Sequence, residues 1–369
     1  MRGVQPPAPL DGSAREGLPR PAGRPRAAPR AAASVALLVL STLATPLVSA
    51  APDSPKRSGG QGHRAALLAE PITPVPAPAA SDPAKLRLGE RLFHDPRLSR
   101  DGTRACASCH GLERGGADGL ARSVGADGRP LDYNTPTVLN AALNFRLNWR
   151  GNFRTLEDLT EAVLLSPRLM DTTWAEVVGR LRADPGYRAA FAQVYGGDPA
   201  PPRVLDALGA FQRSLLTPDA PFDRFLRGER GALTPEQERG YGLFRAFGCV
   251  ACHQGVNVGG NLFQRFGVFG ERPVAAPADL GRFTLTGQER DRRVFRVPSL
   301  RNVALTAPYL HDGGAPTLAD AVRTMAWTQL GRTLSEEETD LIVQFLHGLT
   351  GERGGRPPAD GAPAHPAAP

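Results

Sequence analysis

The sequence predicts a mainly α-helical protein built from two similar halves. Three observations carry this. Apolar residues recur at helical spacing through much of residues 81–350, strand-like runs are few and short, and a helix signal followed by C-x-x-C-H occurs twice. The chain has 369 residues, 41% of them hydrophobic and 22% charged. Gly and Pro are numerous (41 and 36), but 19 of the prolines fall in residues 1–80 and 351–369. The stretch between has ordinary globular composition and length enough for two domains. A collagen-like chain, a wholly disordered chain and a multi-span membrane protein are excluded. The net charge of +7 is concentrated at the N-terminus, where six Arg face only Asp11 and Glu16 in residues 1–50. Elsewhere basic and acidic residues interleave without a stripe, so no nucleic acid partner is expected.

In chain order, residues 1–50 read as a signal peptide. An Arg-rich stretch precedes the apolar run ASVALLVLSTLATPLVSA, with Val48 and Ala50 at the −3 and −1 positions of a small-residue cleavage site. The alternative is a single N-terminal membrane anchor; either way the body lies outside the cytoplasm. Residues 51–80 are a Pro/Ala-rich linker and residues 351–369 a disordered tail, since neither has periodicity. A helix is expected from Asp82 (N-cap) and Pro83 (N1) through LRLGERLF to Phe93. The loop HDPRLSRDGTRA follows, and then Cys106, Cys109 and His110. Helical spacing recurs over 155–165, 174–182, 187–195 and 202–216. The second half repeats the first. Thr234 caps, Pro235 starts the helix, Gln237 completes a capping box, and ERGYGLF leads to Cys249, Cys252 and His253. A helix starting near Thr317 carries Met325, and 335–349 opens with a Ser335/Glu338 capping box.

An exported chain with four cysteines would ordinarily carry two disulfides. Here every cysteine belongs to a C-x-x-C-H motif. Two cysteines three apart share a face of a helical turn and can each form a thioether to a haem vinyl group, and the next histidine reaches the iron. A zinc site would need the pairs far closer in sequence, and a thioredoxin-like pair a βαβ context that is missing. Two covalently bound c-type haems are therefore expected, in two cytochrome c-like domains at 81–230 and 231–350.

The second axial ligands decide the chemistry, because iron with one protein ligand can bind peroxide and iron with two is suited to electron transfer. Met325 is the best candidate at the C-terminal haem. His311, in the loop HDGG, is a rival ligand or a hydrogen-bonding group at the haem edge. No histidine lies between His110 and His253, and His94 reads as a loop residue. The N-terminal haem is thus expected to have an open sixth position.

The chain resembles the bacterial diheme cytochrome c peroxidase family, which includes the MauG-type diheme oxidases. The resemblance spans about 81–350 and rests on LGERLFHDPRLSRDGTRACASCH, NTPTVLNAALNFRLNW, LTPDAPFDRFL, GCVACHQGVNVGG and VPSLRNVALTAPYLHDGG followed by AVRTMA. It implies that Met325 is the axial methionine of a high-potential electron-transfer haem, where MauG-type enzymes have tyrosine. It implies that Trp149 is a relay between the haems, and that Asn134, Thr306 and Pro308 belong to an inter-haem calcium site. It further implies a periplasmic enzyme reducing hydrogen peroxide to water at the His110 haem. Electrons would come from a small cytochrome c or cupredoxin. Family members are often homodimers, which reaches this chain only as an expectation. Two positions depart from the pattern. Ala126 falls where peroxidases often carry a displaceable distal histidine, and Leu169 where they carry a distal glutamate. Asp171 and Glu161 are the acids available to move a proton in their place. The alternatives are a MauG-like oxidase modifying a partner protein or small molecule through high-valent iron, and an electron-transfer cytochrome without turnover.

Overall fold

The computed structural model describes residues 70–272 and 280–352. The proposed leader, most of the linker and residues 353–369 of the tail lie outside the described residues; the disordered-tail expectation is corrected at its first two residues, since Gly351 N–H donates to Asn302 Oδ1 at 3.0 Å and Glu352 N–H to Pro218 O at 3.2 Å. Among the described residues helices dominate, and the sheet is one antiparallel pair, β1 (Phe263–Arg265) and β2 (Val294–Arg296), with Phe263 opposite Arg296. The helices begin where local chemistry starts them. α1 (Pro83–Phe93) has Asp82 accepting from the Ala84 N–H. α2 (Cys106–Cys109) is a single turn. α3 (Leu156–Leu165) and α4 (Trp174–Ala183) are capped by Thr155 and Thr173. α5 (Pro185–Tyr195) starts two residues before the periodic signal because Asp184 caps it and Pro185 takes the first position. α6 (Pro201–Ser214) and α7 (Pro221–Leu226) follow. The latter is too short to show a period in sequence. α8 (Pro235–Ala246) has the expected Thr234/Gln237 capping box. After the single turn α9 (Phe283–Thr286), α10 (Leu318–Leu330) and α11 (Glu336–His347) carry capping boxes at Thr317/Asp320 and Ser335/Glu338.

The internal repeat extends from sequence into packing. α1 crosses α6, and α8 crosses α11. At the first crossing a Cβ on Gly89 would lie 2.7 Å from the Phe211 Cβ and 2.9 Å from the Ala207 carbonyl carbon. At the second, a Cβ on Gly240 would lie 2.7 Å from the Leu341 carbonyl carbon and 3.0 Å from the Phe345 Cβ. Each glycine is four residues before the phenylalanine ending the repeated block, and each meets a residue and the phenylalanine one helical turn beyond it. The rings pair correspondingly, Phe93 with Phe211 at 5.3 Å and Phe244 with Phe345 at 5.1 Å between centroids. Glycine is needed at both places because the helix backbones touch there.

Each crossing anchors a hydrophobic core. One runs from Leu88 to Leu215. The other takes in Phe222, Tyr241, Phe244, Val258, Ile342 and Phe345, and also Ile72. The second core thus draws on α7 and on residues before α1, beyond the 231–350 span. The linker expectation is corrected for residues 70–75. Ile72 and Val75 are buried, Glu70 accepts from Tyr241 and Arg245, and Thr73 O accepts from Arg301 Nη2 at 3.0 Å. An extended strap fixed by backbone hydrogen bonds leaves no helical period to read.

Candidate functional site

The two C-x-x-C-H motifs hold their histidines in the same way. α2 ends at His110, whose N–H donates to Cys106 O at 3.0 Å. The second motif is tighter, a 3-10 turn over Cys249–Ala251 entered through Gly248 at φ 86°. His110 Nδ1 lies 3.1 Å from Gly116 O, and His253 Nδ1 3.3 Å from Val258 O. A carbonyl only accepts, so Nδ1 carries the proton in both rings and Nε2 keeps its lone pair for a metal. Burial lowers both histidines below the ordinary range, His253 to about 4, so the ligating neutral imidazole is the resting form. Gly259 closes the loop behind His253. Its φ is 126°, and a Cβ there would lie 3.0 Å from the Pro298 carbonyl carbon and 3.3 Å from His253 Nδ1. All four cysteines are free of disulfides. Burial pushes the Cys106 thiol up to about 12 and the Cys249 thiol up to about 11.

Cys249, Cys252 and His253 open into an apolar cavity of about 190 Å³. Met325, on α10, lines the same cavity, and so does His311. Two cysteines, a histidine with a directed lone pair and a thioether around one apolar space fit a covalently held haem. His311 is packed among rings, with Phe295 stacked at 4.3 Å, Phe266 at 5.1 Å and Trp149 at 6.2 Å. It is a buried loop residue held by aromatic contacts. Around the first motif, Cys106 and Ala107 pack on the first core. His94 is exposed, its Nδ1 3.0 Å from Glu90 O, as a helix-end residue.

Trp149 borders the cavity and is held from both halves of the chain. Its Nε1 donates to Asn134 O at 2.8 Å, and its carbonyl accepts from the Arg296 N–H at 2.8 Å. Asn134 N–H donates to His311 O at 2.9 Å, so Asn134, Trp149 and His311 form one linked group. Thr306 and Leu305 lie against Gly115, just after the first motif. Asn134 Nδ2 donates to Leu120 O at 2.9 Å, and Thr306 Oγ1 to Val303 O at 3.1 Å. Among the described residues no three His, Cys, Asp or Glu converge on a metal. The calcium candidates Asn134, Thr306 and Pro308 would instead use an amide and carbonyl oxygens.

Ala126 and Leu169, the two positions expected to lack a distal side chain, lie close together. Ala126 N–H donates to Arg168 O at 2.9 Å, immediately before Leu169. The Arg168 guanidinium also closes the loop, with Nη1 2.9 Å from Asp132 and Nη2 donating to Pro130 O at 2.9 Å. Asp171 stands in the left-handed region at φ 47°, its carboxylate 3.0 Å from Arg100 Nε. Glu161 accepts from Trp174 Nε1 at 2.8 Å. Sequence reading missed Arg296 and the ring enclosure of Phe266 and Phe295. VFRVPS, with its single alternating Arg, is the faint trace of the strand carrying two of them.

Residues 83–231 match the family model described as di-haem cytochrome c peroxidase. The cytochrome c551 peroxidase of Nitrosomonas europaea is 41% identical over 77% of this chain and 85% of its own length. Cytochrome c peroxidase Ccp of Escherichia coli is 42% identical over 76% of this chain, but the match spans only 61% of that longer protein. Among solved structures, a MauG-like protein associated with microbial copper homeostasis is similar with a TM-score of 0.64 and 31% identity, over 76% of this chain and 93% of that one.

Proposed function

The chain belongs to the di-haem cytochrome c peroxidase family, whose cofactors are two haems, and from that premise we propose that it reduces hydrogen peroxide to water with electrons from a small redox protein. One observation carries the reading. Cys249, Cys252, His253 and Met325 share an apolar cavity bordered by Trp149, which is hydrogen-bonded to Asn134 in the other half. The haems, when bound, supply the iron for peroxide reduction and the redox couple that feeds it.

In this proposal the cysteines hold the two groups covalently, within N- and C-terminal domains. His253 and Met325 would hold the C-terminal haem, with His311 as the rival to Met325. His110 would be the one protein ligand holding the N-terminal haem. Trp149 is the relay between them, fixed at Nε1 and at its carbonyl so that its ring keeps one orientation. Asn134, Thr306 and Pro308 would hold a calcium ion between the halves. Asp171 is the proposed proton carrier and Glu161 its alternate. The Asp171 carboxylate lies 3.0 Å from Arg100 Nε, whereas Glu161 is tied to an indole N–H. With Ala126 in the closed loop, no side chain has to be displaced before peroxide enters. Reductive activation is therefore not required. The donor is proposed to be a small cytochrome c or cupredoxin, and the site of action the periplasm. Among the described residues no helix is long and apolar enough to cross a membrane.

The test is stopped-flow mixing of the holoprotein, oxidised and half-reduced, with hydrogen peroxide, with and without a reduced small c-type cytochrome. Rapid peroxide loss with donor oxidation from both starting states is expected. Peroxide consumption without donor oxidation would indicate a MauG-like oxidase, and no reaction an electron-transfer cytochrome.

A further inference from the structure

The cavity holding His253 and Met325 is apolar apart from one charge. Arg296 is the single Arg, Lys, Asp or Glu among its described lining residues, and it is 4% exposed. Its Nε donates to Asn148 O at 3.2 Å and its Nη1 to Val297 O at 3.3 Å. Those bonds fix the guanidinium but leave most of its five N–H groups unused. Among the described residues no carboxylate pairs with it. Arg301, in the following turn of chain, is the contrast. It is equally buried, yet its Nη1 lies 2.8 Å from the Asp223 carboxylate. Burial lowers Arg296 to about 10, so it stays charged at neutral pH. A buried guanidinium without a counter-charge is costly, and the cost is relieved when an anion meets it.

We propose that Arg296 is the binding residue for an ionised propionate of the C-terminal haem, and that it couples this carboxylate to Trp149 through the backbone bond between them. The proposal rests on reading this cavity as the haem site. A guanidinium fork matches a carboxylate in shape and charge. The titratable side chains facing the same cavity are His253, His311, Tyr309 and the motif cysteines, none of which supplies a carboxylate. The anion must therefore come with the cofactor. Arg296 would thus neutralise a negative charge beside the iron and hold the C-terminal haem's potential up.

The experiment is a potentiometric titration of the holoprotein and of Arg296→Gln and Arg296→Lys, after covalent haem per chain has been counted by pyridine haemochrome. With both haems present, Arg296→Gln is expected to shift the C-terminal haem's potential downward, and Arg296→Lys to restore it toward the wild type. A Gln variant with the wild-type potential would overturn the proposal while leaving the haem reading intact. Absence of covalent haem in the wild type would overturn both. Should the Gln variant not fold, redox-difference infrared spectroscopy of the wild type decides. Ionised carboxylate bands in both redox states support the proposal, and a neutral propionic acid band in either state refutes it.

Discussion

Gly240→Ala should destabilise the protein, while Gly242→Ala on the same helix should not. A Cβ at Gly240 would stand 2.7 Å from the Leu341 carbonyl carbon and 3.0 Å from the Phe345 Cβ, and nearer still to the Leu341 carbonyl oxygen. Ordinary contact begins at about 3.4 Å, so α8 and α11 must separate by about 0.7 Å or more at their crossing. The obstacle is backbone, which cannot swing aside. Overpacking of this kind costs about 1–3 kcal/mol and occasionally more. Alanine returns about 1 kcal/mol of helix propensity. Since backbone-to-backbone strain belongs at the upper end, the net loss is about 2 kcal/mol. It falls on the crossing that packs Phe244 against Phe345 just before the second motif. At Gly242 a Cβ meets nothing within 4 Å, so only the propensity gain of about 1 kcal/mol remains. Thermal and denaturant unfolding of the two holoproteins, monitored by far-UV circular dichroism, compares them directly. Equal stability of the two variants, or a stabilised Gly240→Ala, would refute the backbone-contact argument.

Trp149→Phe keeps an aromatic ring but loses the Nε1 bond to Asn134, and is expected to load both haems while slowing donor-dependent peroxide turnover at least tenfold; rates from stopped-flow mixing check it. Asp171→Asn should lower the peroxide rate more than Glu161→Gln, because only Asp171 has its carboxylate on a cation; equal rates would remove Asp171 from the proposed chemistry. Asp95 is buried, but hydrogen bonds from Arg97 and Tyr187 outweigh that burial and hold its carboxyl below the ordinary range. Its contribution is therefore complete above about pH 4 and lost as pH falls through the depressed folded value. Asp95→Asn should cost about 1–3 kcal/mol at neutral pH, with the gap from wild type narrowing on acidification in urea unfolding. Arg168→Ala should change stability by less than about 1 kcal/mol, since its ion pairs are exposed, yet speed amide exchange at residues 125–131, as hydrogen-exchange mass spectrometry would read.

The helix starts, both haem motifs and the repeated block were legible in sequence because each depends on residues within one or two turns. Asp82, Thr234 and Ser335 cap helices by bonding N–H groups two or three residues away, and such signals survive in a single chain. The C-x-x-C-H spacing is likewise local chemistry. His94 reads in sequence as a loop residue, and the structure makes it the C-cap of α1. By contrast, the strap at Ile72 and Val75 had no period, because its bonds run to Asp223 and Arg301. The tight 3-10 form of the second motif depends on Gly248 adopting a positive φ, which glycine permits and sequence does not require.

What the sequence by itself determined was the inventory: two attachment motifs, helices with their caps, and Met325 as the residue worth following, to which the family resemblance added Trp149 and the departures at Ala126 and Leu169. Tertiary structure decided which of these meet. It brought Met325 into the cavity of His253, joined Trp149 to Asn134 and Arg296, and stood a guanidinium with no carboxylate partner among the described residues on an apolar wall. The physical reason is range. Capping and thioether geometry are set by neighbours along the chain, whereas the solvation of a charge such as Arg296, and the cost of leaving it bare, is set by everything folded around it.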